Sequence, residues 1–114
     1  MSSRWQPSLE QALRNAGLDP TIAVQAEPTM EAFCNRVAQV VSAAYLQGQV
    51  SWVAADAVIN HLYPFMLECP AVPSYAWGVY EAFDAAEYHP DTPELSEDAV
   101  TRSALVAQVG SQHA

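Results

Sequence analysis

The feature that most constrains the fold is a repeat of apolar residues at steps of three and four between positions 30 and 47. An α-helix turns once in about 3.6 residues, so this spacing places the apolar side chains on one face. Gly48 can end this helix, and Ser51 can cap a second helix over residues 52–67 with the same pattern. The inward residues of the two helices are Met30, Phe33, Cys34, Val37, Val41, Ala44 and Tyr45, then Ala55, Val58, Ile59, Leu62, Phe65 and Met66.

The N-terminal part of the chain predicts a short helical arm. Residues 9–16 form a helix whose start carries a capping box made by Ser8 and Gln11, and Gly17 ends it. The Asp19-Pro20 pair follows as a cap and a first helical residue, and it can begin a helix of at most two turns.

Two further helices are predicted in the C-terminal half. Ser74 can cap a helix over residues 74–88, and Ser96 can cap the last one, which reaches about Val109 before Gly110 stops it. In the second long helix, Pro64 should cause a kink or an early end.

The chain of 114 residues is long enough for one domain that buries a core without metal or disulfide staples. We therefore predict an all-α fold, a compact antiparallel bundle of four main helices with a short helical N-terminal arm. Residues 1–28 form the arm, residues 29–109 form the core and residues 110–114 form a frayed tail. The valine-rich residues 37–41 leave a strand as an alternative. Cys34 and Cys69 are predicted to be free, buried thiols.

Negative charge is concentrated in one continuous stretch of the chain. There is no lysine, and no arginine lies between Arg36 and Arg102, so this stretch accounts for the whole net charge of −9. Such a surface repels nucleic acid and anionic membranes, and it attracts a basic protein. The alternative is that the charge only keeps a small protein soluble. The acids are Asp56, Glu68, Glu81, Asp84, Glu87, Asp91, Glu94, Glu97 and Asp98.

A helical wheel of residues 74–88 separates a core face from a narrow outer stripe. The core face contains Tyr75, Ala76, Val79, Tyr80, Ala82, Phe83 and Ala86. The stripe sets two aromatic residues beside two acids, and the acids that follow extend it into the last helix. Aromatic residues favour protein interfaces, so we predict a partner-binding surface here. The alternative is that Trp77 lies at the bundle edge, under the loop that contains Pro70 and Pro73. The predicted surface comprises Trp77, Glu81, Asp84, Glu87, Tyr88, Asp91, Glu94, Glu97 and Asp98.

No motif for catalysis, phosphate binding or a metal site is present in the sequence. A metal or acid–base cluster could draw only on His61, Glu68, Cys69 and His89, whose spacing fits no ligand pattern. We predict no catalytic residue, no cofactor and no metal. The first residues do not resemble a secretory signal and no run is long enough for a membrane span, so a cytoplasmic protein is expected.

From residue 30 onward the chain resembles the colicin D immunity-like proteins and the small helical immunity proteins of contact-dependent growth inhibition systems. The resemblance rests on the helix over residues 33–45, the turn at residues 48–51, the segment Val79-Tyr80-Glu81-Ala82-Phe83-Asp84 with Glu87, and the acidic start of the last helix. It implies a bacterial protein that neutralises a cognate basic nuclease toxin, often one that cuts transfer RNA. The alternative is an acidic helical adaptor or regulatory subunit that binds a basic host protein or forms a weak homodimer.

Overall fold

The computed structural model describes residues 6–23, 27, 29–87 and 97–113, and within these residues the chain is all-α, as predicted. No strand occurs in these ranges, and residues 37–41 are helical. The helices are α1 (Gln6–Asn15), α2 (Met30–Leu46), α3 (Trp52–Leu67), α4 (Ser74–Glu87) and α5 (Glu97–His113), with a short 3-10 helix at Pro20–Ala23.

The ends of α2 and the start of α3 follow from local side-chain and backbone chemistry. The Thr29 hydroxyl accepts a hydrogen bond from the Ala32 N–H at 3.0 Å, and the Ser51 hydroxyl accepts one from the Ala54 N–H at 3.2 Å. Both bonds satisfy donors that the first helical turn leaves unpaired. Gly48 follows α2 with a φ of 80°, a conformation that favours glycine. The predicted bounds of these helices are confirmed to within one residue.

The start of the N-terminal arm differs from the prediction. Because α1 begins at Gln6, Ser8 lies inside the helix and the predicted capping box is wrong. The Gln11 side chain instead donates a hydrogen bond to the Asn15 side chain at 2.9 Å. Gly17 follows the helix with a φ of 78°, as expected of a glycine that ends it.

The arm is a packed part of the bundle. Leu9 and Leu13 of α1 are fully buried, and α1 packs against α3. After α1, the Asp19 carboxylate accepts hydrogen bonds from the Thr21 N–H and hydroxyl, as predicted for a cap. These two bonds, the one from the N–H first, lower the pKa of Asp19.

Two predicted helix breakers do not break their helices. Helix α3 continues through Pro64 to Leu67. Pro64 lies in the last turn, where its missing N–H leaves out a single hydrogen bond, the one to the carbonyl of the exposed Asn60. Helix α5 continues through Gly110 to His113, so the predicted end of this helix at about Val109 is wrong. Glycine costs a helix interior only about 1 kcal/mol, which weakens a helix without ending it.

Aromatic contacts across the core fix the directions of the central helices. The rings of Phe33, at the start of α2, and Phe65, at the end of α3, are 5.3 Å apart. Near the other end of the bundle, the Phe83 ring of α4 lies 5.4 Å from the Tyr45 ring and 5.9 Å from the Trp52 ring. Helix α3 is therefore antiparallel to both α2 and α4.

Thr101 joins the start of α5 to α3 and α4. Its side chain is fully buried, and its hydroxyl accepts a hydrogen bond from the Trp52 indole N–H at 2.7 Å. The same hydroxyl donates to the Ala82 carbonyl at 3.2 Å. The start of α5 thus lies beside the C-terminal half of α4, and α5 packs against α4.

Arg102, the next residue of α5, closes the C-terminal end of α2. Its guanidinium donates hydrogen bonds to the carbonyls of Tyr45 and Leu46, both at 3.2 Å. The guanidinium also lies over the Tyr45 ring, 4.7 Å from the ring centre. The last carbonyls of a helix carry partial negative charge, so this arginine satisfies acceptors at the end of α2 and stabilises its dipole.

Asn35 of α2 caps the start of α4. Its side-chain oxygen accepts a hydrogen bond from the Ala76 N–H at 2.9 Å. Ser74, which was predicted as the cap, is instead the first residue of α4. A side chain from another helix therefore performs a role that local sequence assigned to a serine.

Candidate functional site

The outer side of α4 carries three of the residues predicted to bind a partner. Glu81 is exposed, and Trp77 and Asp84 are half-buried. The opposite side of the helix forms core through buried Tyr75, Ala76, Val79, Ala82 and Phe83, as the wheel predicted. Tyr80 was also predicted to be core, but it is only half-buried and lies at the edge of the outer side.

Three aromatic rings form a layer between α3 and α4. The Tyr63 ring of α3 stacks on the Tyr80 ring, with centres 4.8 Å apart and planes at 23°. The Trp77 ring lies 5.4 Å from Tyr80 and 6.3 Å from Tyr63, at angles of 28° and 33°. All three side chains are half-buried. Trp77 is therefore supported by rings, and its exposed part belongs to a surface built by two helices.

Tyr63 was not predicted as part of this site. The sequence contains a signal for it, because Asp56, Asn60, Tyr63 and Leu67 follow one another at steps of four, three and four, the spacing of residues on one face of a helix. None of these four residues is buried in the structure. We call Tyr63, Trp77, Tyr80, Glu81 and Asp84 the aromatic–acidic face.

The two carboxylates of the aromatic–acidic face are unpaired within the part of the chain that the structure describes. Neither Glu81 nor Asp84 forms a hydrogen bond or an ion pair with another described residue. Each follows an aromatic residue by four positions, Glu81 after Trp77 and Asp84 after Tyr80, a spacing that brings side chains together on a helix.

The C-terminal end of α4 carries negatively charged residues, which interact unfavourably with the helix dipole. Its last turn contains Asp84 and Glu87 and no basic residue. The C-terminal end of a helix carries partial negative charge, so acids there are unfavourable and cations are favourable. A cation supplied from outside would therefore gain from the dipole as well as from the carboxylates.

The remaining predicted site residues follow the same end of α4. Glu87 is the last residue of α4, and Glu97 and Asp98 are the first two of α5. Tyr88, Asp91 and Glu94 lie outside the described residues. The hydrogen bond between Thr101 and the Ala82 carbonyl brings the first turns of α5 beside α4. The backbone thus brings the acidic start of α5 to the end of the bundle where α4 finishes.

Two of the arginines are occupied elsewhere. Arg14 lies 3.9 Å from Glu10 on α1, and Arg102 is bound to the end of α2.

The two cysteines lie together at the end of the bundle where α2 and α4 begin and α3 finishes. Cys34 is fully buried in α2, and Cys69, which follows α3, is half-buried and donates its thiol hydrogen to the Phe65 carbonyl at 3.6 Å. Burial raises the pKa of both thiols, and the neighbouring Cys69 raises that of Cys34 further. Both are free, as predicted, but the predicted burial of Cys69 is wrong, because Cys69 is half-buried. Within the described ranges, no group of three metal-ligating side chains occurs.

A groove of about 240 Å³ lies where α1 packs against α3. Three alanines line it together with the polar residues Ser8, Gln11, Asn15 and His61. Among the residues that the structure describes, no carboxylate or thiol lines the groove beside His61. It lies on the side of α3 that faces α1 and is separate from the aromatic–acidic face.

Of the helices in the described ranges, none has the length and hydrophobicity needed to cross a bilayer. Comparison with family models, with curated proteins and with solved structures gave no match.

Proposed function

We propose that this protein is an immunity protein that binds a cognate bacterial nuclease toxin in the cytoplasm. Its acidic surface would cover the basic cleft in which the toxin, of the type that cuts transfer RNA, holds its substrate. The observation that carries the proposal is a pair of carboxylates, Glu81 and Asp84, that have no partner among the described residues and lie beside half-buried aromatic rings on one packed helix.

Electrostatics supports a basic partner. A nuclease grips phosphates with lysine and arginine, so its cleft is complementary to a surface that presents carboxylates. The net charge of −9 speeds the encounter with such a cleft, and the unfavourable acids at the end of α4 would be relieved on binding.

Rigidity supports inhibition by a preformed surface. The start of α4 is capped by Asn35, and its core side is buried along α2 and α5. A surface that is already ordered loses less entropy on binding than a flexible one. The aromatic rings supply apolar area of the kind that anchors tight interfaces. Such an inhibitor needs neither a catalytic residue nor a cofactor.

The proposal is tested by producing the protein together with the product of the adjacent open reading frame, and measuring complex formation and growth. The wild type should bind that product and restore growth. The double variant Glu81→Gln/Asp84→Asn should raise the dissociation constant about tenfold or more, because two charges at the interface are lost. A matched control is Glu10→Gln/Glu31→Gln, which changes the net charge equally at residues outside the aromatic–acidic face.

The control variant should retain near wild-type binding and protection. Equal protection by all three proteins would remove the aromatic–acidic face from the proposal. Absence of a toxic neighbour, together with capture of a basic host protein, would favour the adaptor or regulatory subunit instead.

A further inference from the structure

We propose that the Trp77 ring and the Glu81 carboxylate form a receiving site for an arginine side chain of the partner. This inference rests on the proposed function, because it specifies which chemical group of a basic partner the aromatic–acidic face binds. Trp77 and Glu81 are one helical turn apart on the outer side of α4, where side chains at this spacing are neighbours.

The geometry provides the two components that a guanidinium needs. The Trp77 ring is half-buried and is held by the rings of Tyr63 and Tyr80, at 6.3 Å and 5.4 Å between centres. A supported ring of this kind presents a fixed aromatic surface on which a cation can stack. The exposed Glu81 carboxylate, unpaired among the described residues, supplies two oxygen acceptors for N–H donors.

The protein already contains one complete example of this binding mode. The Arg102 guanidinium stacks over the Tyr45 ring at 4.7 Å from the ring centre while its N–H groups donate to two carbonyl oxygens. In that example, one planar group satisfies an aromatic face and two acceptors at once. At Trp77 and Glu81 the ring and the acceptors come from this chain, and the guanidinium would come from the partner.

The same geometry discriminates between the two basic side chains. Arginine is planar and weakly hydrated, so it can stack on a ring and still donate two parallel hydrogen bonds to a carboxylate. Lysine carries a compact, strongly hydrated ammonium that gains mainly from the negative charge. The acidic surface as a whole attracts both, but the Trp77 site should prefer arginine.

The test uses two probes, an arginine-repeat peptide and a lysine-repeat peptide of equal length with blocked ends. Their dissociation constants for the intact protein are measured by titration calorimetry at low salt. The arginine peptide should bind about three- to thirtyfold more tightly, the range expected of a cation stacked on an aromatic ring. In a nitrogen–proton correlation spectrum, the arginine peptide should shift the indole signal of Trp77 and leave that of Trp52 unchanged.

Three variants separate the ring from the charge. Trp77→Leu should reduce the affinity for the arginine peptide to that for the lysine peptide, whose own affinity should stay within about twofold. Trp77→Phe keeps a ring and should retain part of the preference, which also guards against a fold defect in Trp77→Leu. Glu81→Gln should weaken both peptides, and the arginine peptide more strongly.

Equal affinity of the wild type for both peptides, or an unchanged preference in Trp77→Leu, would overturn the inference. These results are separable from the proposed function. Protection against a toxin without an arginine preference would reject only this site. An arginine preference without any toxin partner would reject the immunity role and leave the site in place for another basic protein.

Discussion

At the scale of single residues, the burial of the Cys34 thiol makes the stability of the fold depend on pH. The thiol is fully buried in α2, and burial first, then the neighbouring Cys69, raises its pKa above the ordinary value of 9.0. The folded protein therefore keeps this proton at a pH at which the unfolded chain has lost it. The thiol therefore makes its full contribution to the free energy of unfolding below pH 9, and this contribution decreases as the pH rises through the alkaline range.

We expect the free energy of unfolding to fall by about 1.4 kcal/mol per pH unit above pH 9 on account of this one group. Replacing Cys34 with alanine removes the titration and adds a constant cost from the small cavity. Urea unfolding of both proteins under reducing conditions, from pH 8 to pH 10, should show the difference between them shrinking. Parallel curves over that range would contradict the effect of burial on this thiol.

At the scale of elements, the attachment of α5 depends on the Thr101 hydroxyl. It bonds the Trp52 indole N–H at 2.7 Å and the Ala82 carbonyl at 3.2 Å within a fully buried environment. Thr101→Val keeps the shape and removes both bonds, leaving the indole donor unpaired. It should lower the free energy of unfolding by about 1–3 kcal/mol, measured by urea unfolding.

Thr101→Ser keeps the hydroxyl and is the matched control, with a smaller loss expected from one buried methyl group. Trp52→Phe removes the donor, so adding Thr101→Val to it should cost less than Thr101→Val costs the wild type. If the losses in the free energy of unfolding of the two single variants add up to that of the double variant, the hydrogen bond between Trp52 and Thr101 does not stabilise the attachment of α5.

The elements also explain what sequence could predict. The sequence predicts helices α2 and α3 with their buried faces, because the spacing of their apolar residues, Gly48 and the Ser51 cap are local properties of the sequence. The Thr29 cap of α2 was not predicted. The cap of α4 by Asn35 and the stacking of Tyr63 on Tyr80 were missed. Both are contacts between residues distant in the chain, and they depend on how helices cross. The end of α5 was missed because the energy cost of Gly110 is smaller than a helix break requires.

At the scale of the whole molecule, the charge that would serve binding acts against the isolated fold. With a net charge of −9, the acidic side chains repel one another. The last turn of α4 also places acids where the helix dipole is negative. Salt screens such interactions over a distance of about 10 Å at 0.1 M. Added salt should therefore stabilise the free protein while it slows association with a basic partner.

Neutralising the acids of the aromatic–acidic face should reproduce the first of these effects without salt. At low ionic strength, Glu81→Gln/Asp84→Asn should raise the thermal midpoint by roughly 1–3 °C, since repulsion within the surface and with the end of α4 is reduced. Glu10→Gln/Glu31→Gln changes the net charge equally, but it removes the carboxylate beside Arg14 and an acid from the favourable first turn of α2, so it should not stabilise. Differential scanning calorimetry of the three proteins at low and at moderate salt makes the comparison.

A carboxylate pair whose removal stabilises the free protein and weakens its complex is retained for binding, because the isolated fold would be more stable without it. A lower midpoint in Glu81→Gln/Asp84→Asn than in the wild type would instead assign these two acids a structural role.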